Sequence, residues 1–302
     1  MFDTVVIKAR SIHLEPEVLL DMKSCKEVTF LNKETGVLQT RYEIYDEELS
    51  YIKYLDGSKT LSLQVSIPKL LYGNNVNQIT ETDIPRFFER VQKRLFQLFS
   101  IDIPHLEWSI SRADICWNFQ VGKNVGEYVR MLSKQKIPFK NTRIFNQDQT
   151  VEFYNKSSRI ILYDKQRQMQ REKASSELIE QSKGILRLEI RPSVSDMKKF
   201  SVTKNAIELL NKSFFEYMTD RVLNEFKYPS SESLMDLSWL KENRENMSKI
   251  ETVLGFQLLQ SIFDESVLRQ LYTPSTYANR KNLAKKIAIP KGNCLDRLAI
   301  NS

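Results

Sequence analysis

Histidine and cysteine are scarce in this sequence of 302 residues, and their scarcity excludes several kinds of site. The two histidines, His13 and His105, are far apart, so no His-hydrophobe-His motif exists and no zinc site can be built from neighbouring imidazoles. The three cysteines, Cys25, Cys116 and Cys294, are widely spaced and never form a CxxC pair. This spacing argues against a disulfide framework and against a structural zinc site.

Long apolar runs are also missing. No run approaches the ~18 residues that a membrane span needs. The first ten residues, MFDTVVIKAR, alternate like a strand and carry an acid at the third position, a pattern that predicts no signal peptide. We therefore expect a protein of a reducing cytoplasm with no membrane partner.

The sequence as a whole is basic. Lys and Arg number 45 against 38 Asp and Glu, which gives a net charge of +7. Such a balance favours acidic partners, with nucleic acid first and an anionic membrane surface second. With 41% apolar and 27% charged residues, the composition is that of a globular protein.

Hydrophobic periodicity predicts an α+β fold. Residues 26–46 and 48–67 read as two hairpins, residues 82–99 as a helix, and residues 1 to about 195 as strand-rich with interspersed helices. Beyond residue 200 the period is almost entirely helical. We therefore predict an antiparallel, sheet-rich N-terminal domain with flanking helices over residues 1–200, and an all-helical region over residues 201–302.

Several predicted strands have one apolar face and one charged face, because side chains alternate across a strand. In SISRADICWNF, Arg112 and Asp114 share a face, and in GILRLEIRP, Arg187, Glu189 and Arg191 share one. The same parity groups Arg159, Tyr163 and Lys165 in RIILYDK, and Glu152 with Tyr154 in TVEFYN. One interpretation is a one-sided sheet whose polar face is simply solvated. If the strands are neighbours, however, Asp114 and Glu189 converge near Tyr163.

Such a convergence would favour phosphate chemistry. Two or three neighbouring carboxylates provide the oxygen ligands that a hard divalent cation such as Mg²⁺ or Mn²⁺ prefers. A phenol beside a cation can ionise and attack a phosphodiester, and the tyrosyl phosphodiester that forms is reversible. Lys165 or Arg159 would favour the phenolate.

The order SRADICWNF, QTVEFYNKSSRIILYDKQRQ, GILRLEIRP resembles the rolling-circle replication initiators of filamentous phages, of the gene II type, and of plasmids. The resemblance covers roughly residues 105–195. It implies a protein of a bacterial host cell that nicks and rejoins one strand of origin DNA through a covalent 5′-phosphotyrosine, with a divalent metal. Its implied partners are double-stranded and extruded single-stranded origin DNA, a host helicase and polymerase, and a second copy of the chain.

The resemblance assigns a role to each matching position. Tyr163 is the implied nucleophile, with Lys165 beside it, and Asp114 and Glu189 are the implied metal ligands. Glu152 is a further candidate ligand, and Tyr154 is a candidate second nucleophile. Four arginines would hold phosphates or orient the acids: Arg112, Arg159, Arg187 and Arg191.

The C-terminal stretch TPSTYANRKNLAKKIAI is similar to the basic terminal helices of that family. It begins with Thr-Pro, a helix start signal, and Tyr277, Leu283 and Ile287 could form its inner stripe. A helix-turn-helix that reads double-stranded DNA is one interpretation, and an ordinary basic surface helix is the other. The predicted DNA contacts are Arg280, Lys281, Lys285 and Lys286.

Three alternatives to a replication initiator stay open at this point. A plasmid mobilisation relaxase shares the chemistry, a DNA-binding regulator shares only the binding, and a structural protein would share neither.

Overall fold

A computed structural model describes residues 1–146, 149–228, 237–287, 289 and 295–300 of the chain. The described residues form an α+β protein with two compact units. Unit 1 comprises Met1–Lys227 with the C-terminal residues from Leu298, and unit 2 comprises Tyr228–Arg297. The predicted fold class, a sheet-rich N-terminal part followed by a helical part, is confirmed.

Unit 1 is built on one antiparallel sheet. Its ten strands run in the order β2-β3-β4-β5-β1-β6-β10-β9-β8-β7. Their bounds are β1 Phe2–Ala9, β2 Cys25–Leu31, β3 Leu38–Asp46, β4 Ser50–Leu55, β5 Thr60–Ser66, β6 Ser109–Gln120, β7 Asn141–Phe145, β8 Thr150–Tyr154, β9 Arg159–Asp164 and β10 Ile185–Arg191.

The α-helices of unit 1 are mostly short. Their bounds are α1 Pro16–Leu20, α2 Ile67–Tyr72, α3 Asp83–Phe99, α4 Val125–Ser133, α5 Lys165–Arg171, α6 Ser176–Gln181, α7 Val194–Phe200, α8 Ala206–Leu209 and α9 Lys212–Glu225.

Both predicted hairpins are present, and the residues at their turns explain why the chain reverses there. The β2–β3 turn contains Gly36 at φ +67°, a left-handed conformation that suits glycine. The β4–β5 turn contains the predicted Asp56 and Gly57 in a 3₁₀ turn. The predicted helix over residues 82–99 is α3, which begins at Asp83.

Most helices of unit 1 pack on one face of the sheet, whereas α5 and α6 pack against Ile185 at one end of the other face. Burial alternates along β1 and β4, so every second side chain is enclosed and the next is at least partly exposed, and β5 follows the same pattern except at buried Ser62. Near β6 the enclosed face meets α9, where Phe215 contacts both Phe2 and Trp117. We call the opposite face of the sheet the open face.

The boundary between the units lies nearer residue 228 than the predicted residue 200. Helices α7 to α9 belong to unit 1, because their apolar side chains complete its core. Phe226, just after α9, packs on Phe153 of β8. A helical period alone cannot show which unit a helix packs on.

The described part of unit 2 is helical: α10 Leu237–Glu242, α11 Met247–Ile262, α12 Glu265–Leu271 and α13 Pro274–Lys286. Phe256 of α11 packs edge-on against Tyr272 and Tyr277, which ties α11 to the start of α13. Among the described residues, no helix combines the length and apolarity needed to cross a membrane.

Candidate active site on the open face

The strands with charged faces are neighbours in the sheet. β10 lies between β6 and β9, and β8 follows β9. The register places Arg187 opposite both Tyr163 and Asn118, and Tyr163 opposite Thr150. Parity therefore puts the polar side chains of four adjacent strands on the same face, the open face.

Tyr163 and Glu189 are in direct contact. The Tyr163 hydroxyl donates a hydrogen bond of 2.7 Å to Oε1 of Glu189, and the same oxygen accepts from Nε of Arg187 at 3.0 Å. Nη2 of Arg187 donates to Asp3 at 2.6 Å. The result is a continuous network from the β9 phenol through a carboxylate and a guanidinium to a second carboxylate.

The phenol of Tyr163 holds its proton in this arrangement. Its side chain is only 6% exposed. Burial, and then the negative charge of Glu189, raise the pKa of Tyr163 well above its ordinary value of 10.0, although Arg187 opposes them. An attack by this oxygen therefore requires a base to take the proton, and Glu189 is the group in contact with it.

Lys165 lies in the same buried region but does not contact Tyr163. Its ammonium donates to the side chains of Asn75 and Gln168, both at 2.9 Å. Burial, followed by the charge of Arg187, lowers the pKa of Lys165 to about 8.

Residues 74–79, the covering segment, lie across this end of the open face. The carbonyl of Asn75 accepts from Nη1 of Arg187 at 3.0 Å, and the carbonyl of Val76 accepts from Asn118 at 3.0 Å. These bonds join the segment to β10 and β6. They explain why Tyr163, Lys165 and Arg187 are enclosed on a face that is open elsewhere.

Asp114 binds arginines rather than Tyr163. Arg191 binds its two oxygens at 2.8 and 3.2 Å, and Arg112 binds it from the same strand. Along β6, Asp114 is four residues from Asn118, the position level with Tyr163, a separation of about 13 Å at strand spacing. Of the two acids predicted to converge near Tyr163, Glu189 therefore contacts it and Asp114 does not.

Glu152 is a further acid of the open face with arginine partners, and it is buried. Arg143 of β7 contacts it at 2.6 Å and Arg159 of β9 at 2.8 Å. Arg143 was not among the predicted site residues, because β7 was not predicted as a strand.

The arrangement of the acids bears on the predicted metal. Asp114, Glu152 and Glu189 each face guanidinium groups, and no cluster of three or more potential metal-ligating side chains occurs in the described ranges. Carboxylates paired in this way do not fit a ligand set for Mg²⁺ or Mn²⁺.

Four arginines form a row across the open face, Arg143, Arg159, Arg191 and Arg112, which we call the arginine row. Arg159 and Arg191 are direct cross-strand partners, and like charges in that position are unfavourable. Each is turned to its own acid, Glu152 or Asp114, and all four guanidiniums keep exposed surface. The row carries four positive charges against two negative ones, so an anion is the expected ligand.

Tyr154 stands beside this row. It is the register partner of Arg159, it is partly exposed, and Arg143 lies 5.4 Å from its ring centre. Tyr154 and Tyr163 share the open face, and only Tyr163 is enclosed by the covering segment.

Arg187 differs from the other predicted DNA contacts. Its side chain is fully buried and bound to Asp3, Glu189, Asn118 and Asn75. It can orient Glu189, but in this conformation it offers no surface to DNA. Asp3 and Asn75 were missed from the sequence because they come from distant segments, and nothing near them marks their partners.

In unit 2, α12 and α13 are joined by only Tyr272 and Thr273, and Thr273 caps α13. Tyr277 is buried as predicted, and Lys281 contacts Glu265 at 3.4 Å. Lys285 and Lys286 are exposed and Arg280 is partly exposed.

The chain matches no protein-family model, and no curated protein matches it in sequence.

Proposed function

We propose that this chain is a rolling-circle replication initiator that nicks and rejoins one strand of origin DNA through Tyr163. The observation that carries the proposal is the contact of Tyr163 with Glu189, level with Arg187 and on the same face as the arginine row, whose Arg159 is about 13 Å along β9. It joins a nucleophile, a base and an anion-binding surface on one sheet face.

The chemistry follows from these contacts. The Tyr163 oxygen bonds to the scissile phosphorus while its proton passes to Glu189, which is already 2.7 Å away. The bond from phosphorus to the 3′ oxygen breaks, and that oxygen takes up a proton from solvent and leaves as a 3′-OH, while Glu189 keeps the proton of Tyr163. Arg187 fixes the orientation of Glu189, and the arginine row neutralises the flanking phosphates.

Access to Tyr163 needs the covering segment to move aside, since the phenol is enclosed. Lys165, which the sequence predicts to favour the phenolate, holds that segment through Asn75 and so is a positioning residue that controls access to Tyr163. Binding of origin duplex by α13, as the second helix of a helix-turn-helix, belongs to the same proposal.

Tyr154 is the second candidate for the nucleophile, because it is partly exposed and borders the arginine row. The two tyrosines can be separated by Tyr163→Phe and Tyr154→Phe variants incubated with supercoiled origin DNA and Mg²⁺ or Mn²⁺. We expect the covalent protein–DNA adduct to disappear in Tyr163→Phe and to persist in Tyr154→Phe.

Equal nicking by Tyr163→Phe and wild type would refute the assignment of Tyr163 as the nucleophile. Loss of nicking in Tyr154→Phe alone would assign the nucleophile to Tyr154 instead. The same assay with EDTA tests the metal requirement, which remains a prediction. Absence of nicking by wild type on every origin tried would argue for a non-catalytic DNA-binding protein.

A further inference from the structure

The half of the open face formed by β3, β4, β5 and β1 lies beyond the candidate active site and carries its own cluster of cations. Lys53 and Lys8 are both register partners of Ser62, so they stand in one line across β4, β5 and β1. Ser109, the partner of Lys8 on β6, pairs with Asn205, which brings the neighbouring Lys204 to the same place.

These cations are not neutralised by ion pairs. Among the described residues, no carboxylate lies within salt-bridge distance of Lys8, Lys53 or Lys204. Glu43 is the register partner of Lys53, but its carboxylate binds Arg41 at 2.7 Å. Burial and then Lys53 lower the pKa of Lys8, and burial and then Lys8 lower that of Lys204, as expected of like charges held close together.

An aromatic pair adjoins the cations. Tyr45 and Tyr51 are direct cross-strand partners with ring centres 5.4 Å apart, and Tyr45 is 63% exposed. Tyr51 is two residues before Lys53 on β4, so both point to the open face. An exposed aromatic on a strand, beside unpaired lysines, combines a stacking surface with phosphate-binding charge.

The two halves of the open face are continuous. Tyr51 is paired with Gln64, Gln64 with Val6, and Val6 with Arg112 of the arginine row. A polymer that follows this line would pass from Tyr45 to the arginine row without leaving the sheet.

We propose that this half-face binds single-stranded DNA leading to the candidate active site, with Tyr45 and Tyr51 stacking on bases and Lys8, Lys53 and Lys204 holding phosphates. Aromatic rings within a cationic groove are the general means of binding single strands. Bases are unstacked and available for stacking on aromatic rings only in a single strand. The inference rests on the proposed function only in saying that the bound strand leads to the candidate active site. The binding of single-stranded DNA by this half-face does not depend on the proposed function.

The test is binding of a fluorescein-labelled oligo(dT) to the full chain, followed by anisotropy in EDTA over a range of salt. Tyr45→Ala with Tyr51→Ala should weaken binding by more than about 10-fold, since stacking on each base is worth about 1–3 kcal/mol. Lys8→Gln with Lys53→Gln should reduce the slope of log K against log salt by about 1.4, at about 0.7 per phosphate contact. Tyr45→Phe should keep wild-type affinity because the ring remains.

Matched controls lie on α3, in the same unit but on the helical side of the sheet. Phe96 is 62% exposed and Lys93 is exposed, so Phe96→Ala and Lys93→Gln should bind like wild type. The single variant Tyr45→Ala guards against misfolding, because its side chain is mostly in solvent.

Wild-type affinity in both double variants would overturn the inference, as would tighter binding of oligo(U) than of oligo(dT). If wild type binds oligo(dT) through these residues but never nicks DNA, the inference stands and the proposed function fails. If wild type nicks origin DNA and the variants bind normally, the proposed function stands and the inference fails.

Discussion

Tyr163 is almost fully enclosed, and its hydroxyl is hydrogen-bonded to Glu189. Strand parity predicts that Asp114 and Glu189 converge near Tyr163, and of these two acids only Glu189 accepts a hydrogen bond from its hydroxyl. The sequence also predicts that Lys165 or Arg159 favours the phenolate. Instead, burial keeps the proton on the oxygen, and so the acid beside it becomes the essential partner.

Lys165 provides a prediction of pH dependence at the residue scale. Its pKa is about 8 in the folded chain, against 10.5 for an ordinary lysine. Below pH 8 both the folded and unfolded states carry the charge, and the folded state bears the full cost of burying it. Between about pH 8 and about pH 10 the unfolded state binds more protons, so the free energy of unfolding rises with pH.

We therefore expect wild type to gain stability relative to Lys165→Met from neutral pH to about pH 10, by up to about 3 kcal/mol. Urea denaturation of both proteins across that range measures the difference between their free energies of unfolding. Any contribution of Tyr163 is common to both proteins and cancels in that difference. Lys93→Met, at an exposed position, should give no such trend. A constant difference between wild type and Lys165→Met would show that Lys165 is not held at a low pKa.

At the scale of elements, the contact between the end of β6 and the start of β10 depends on Gly184. It has φ +71°, and a Cβ built there would lie 2.8 Å from the Cα of Gly122. The carbonyl of Gly184 also accepts from the amides of Val121 and Gly122 at 3.0 and 3.1 Å. Both strands carry site residues, so this junction sets the position of Glu189 relative to β6.

Gly184→Ala should lower the melting temperature by about 5–10 °C, because a left-handed alanine costs about 1–2 kcal/mol and the backbone contact adds to it. The matched control is Gly126→Ala on α4, where a Cβ meets nothing within 4 Å. Calorimetry or circular dichroism should find the control unchanged or slightly more stable. An unchanged melting temperature for Gly184→Ala would mean that the junction relaxes freely.

The elements also show how far the sequence could predict the fold and the site. Local signals were sufficient for the hairpins, for α3 and for the faces of β6, β9 and β10, because periodicity and turn residues act over a few positions. The insertion of β10 between β6 and β9 is set by long-range pairing, which no local pattern encodes. Asp3 and Asn75 join the site only through that pairing and through the covering segment.

For the same reason, the acids were predicted as one metal site and are found separately. The sequence shows that Asp114, Glu152 and Glu189 share a face, but not that arginines on adjoining strands meet each of them. Arg143 on β7 is the example, since its short strand had no clear alternation. Strand parity predicts which side chains share a face of the sheet, whereas the register between strands decides which of those side chains are in contact.

At the scale of the whole molecule, the chain divides into a sheet unit and a helical unit that each carry basic residues. If unit 2 binds duplex DNA as proposed, its contribution should be electrostatic and separable from chemistry in unit 1. Lys285 and Lys286 at the end of α13 are exposed, whereas Lys281 is engaged with Glu265. The first two are therefore the sharper test.

Lys285→Gln with Lys286→Gln should reduce the slope of log K against log salt for duplex DNA by about 1.8, at about 0.9 per phosphate contact. Cleavage of a single-stranded substrate should stay unchanged, because unit 1 holds every residue assigned to chemistry. The matched control is Lys241→Gln with Lys249→Gln, exposed lysines of α10 and α11 in the same unit. An equal loss in both pairs would indicate a diffuse charge effect rather than a DNA-binding helix, and would favour the interpretation of α13 as an ordinary surface helix.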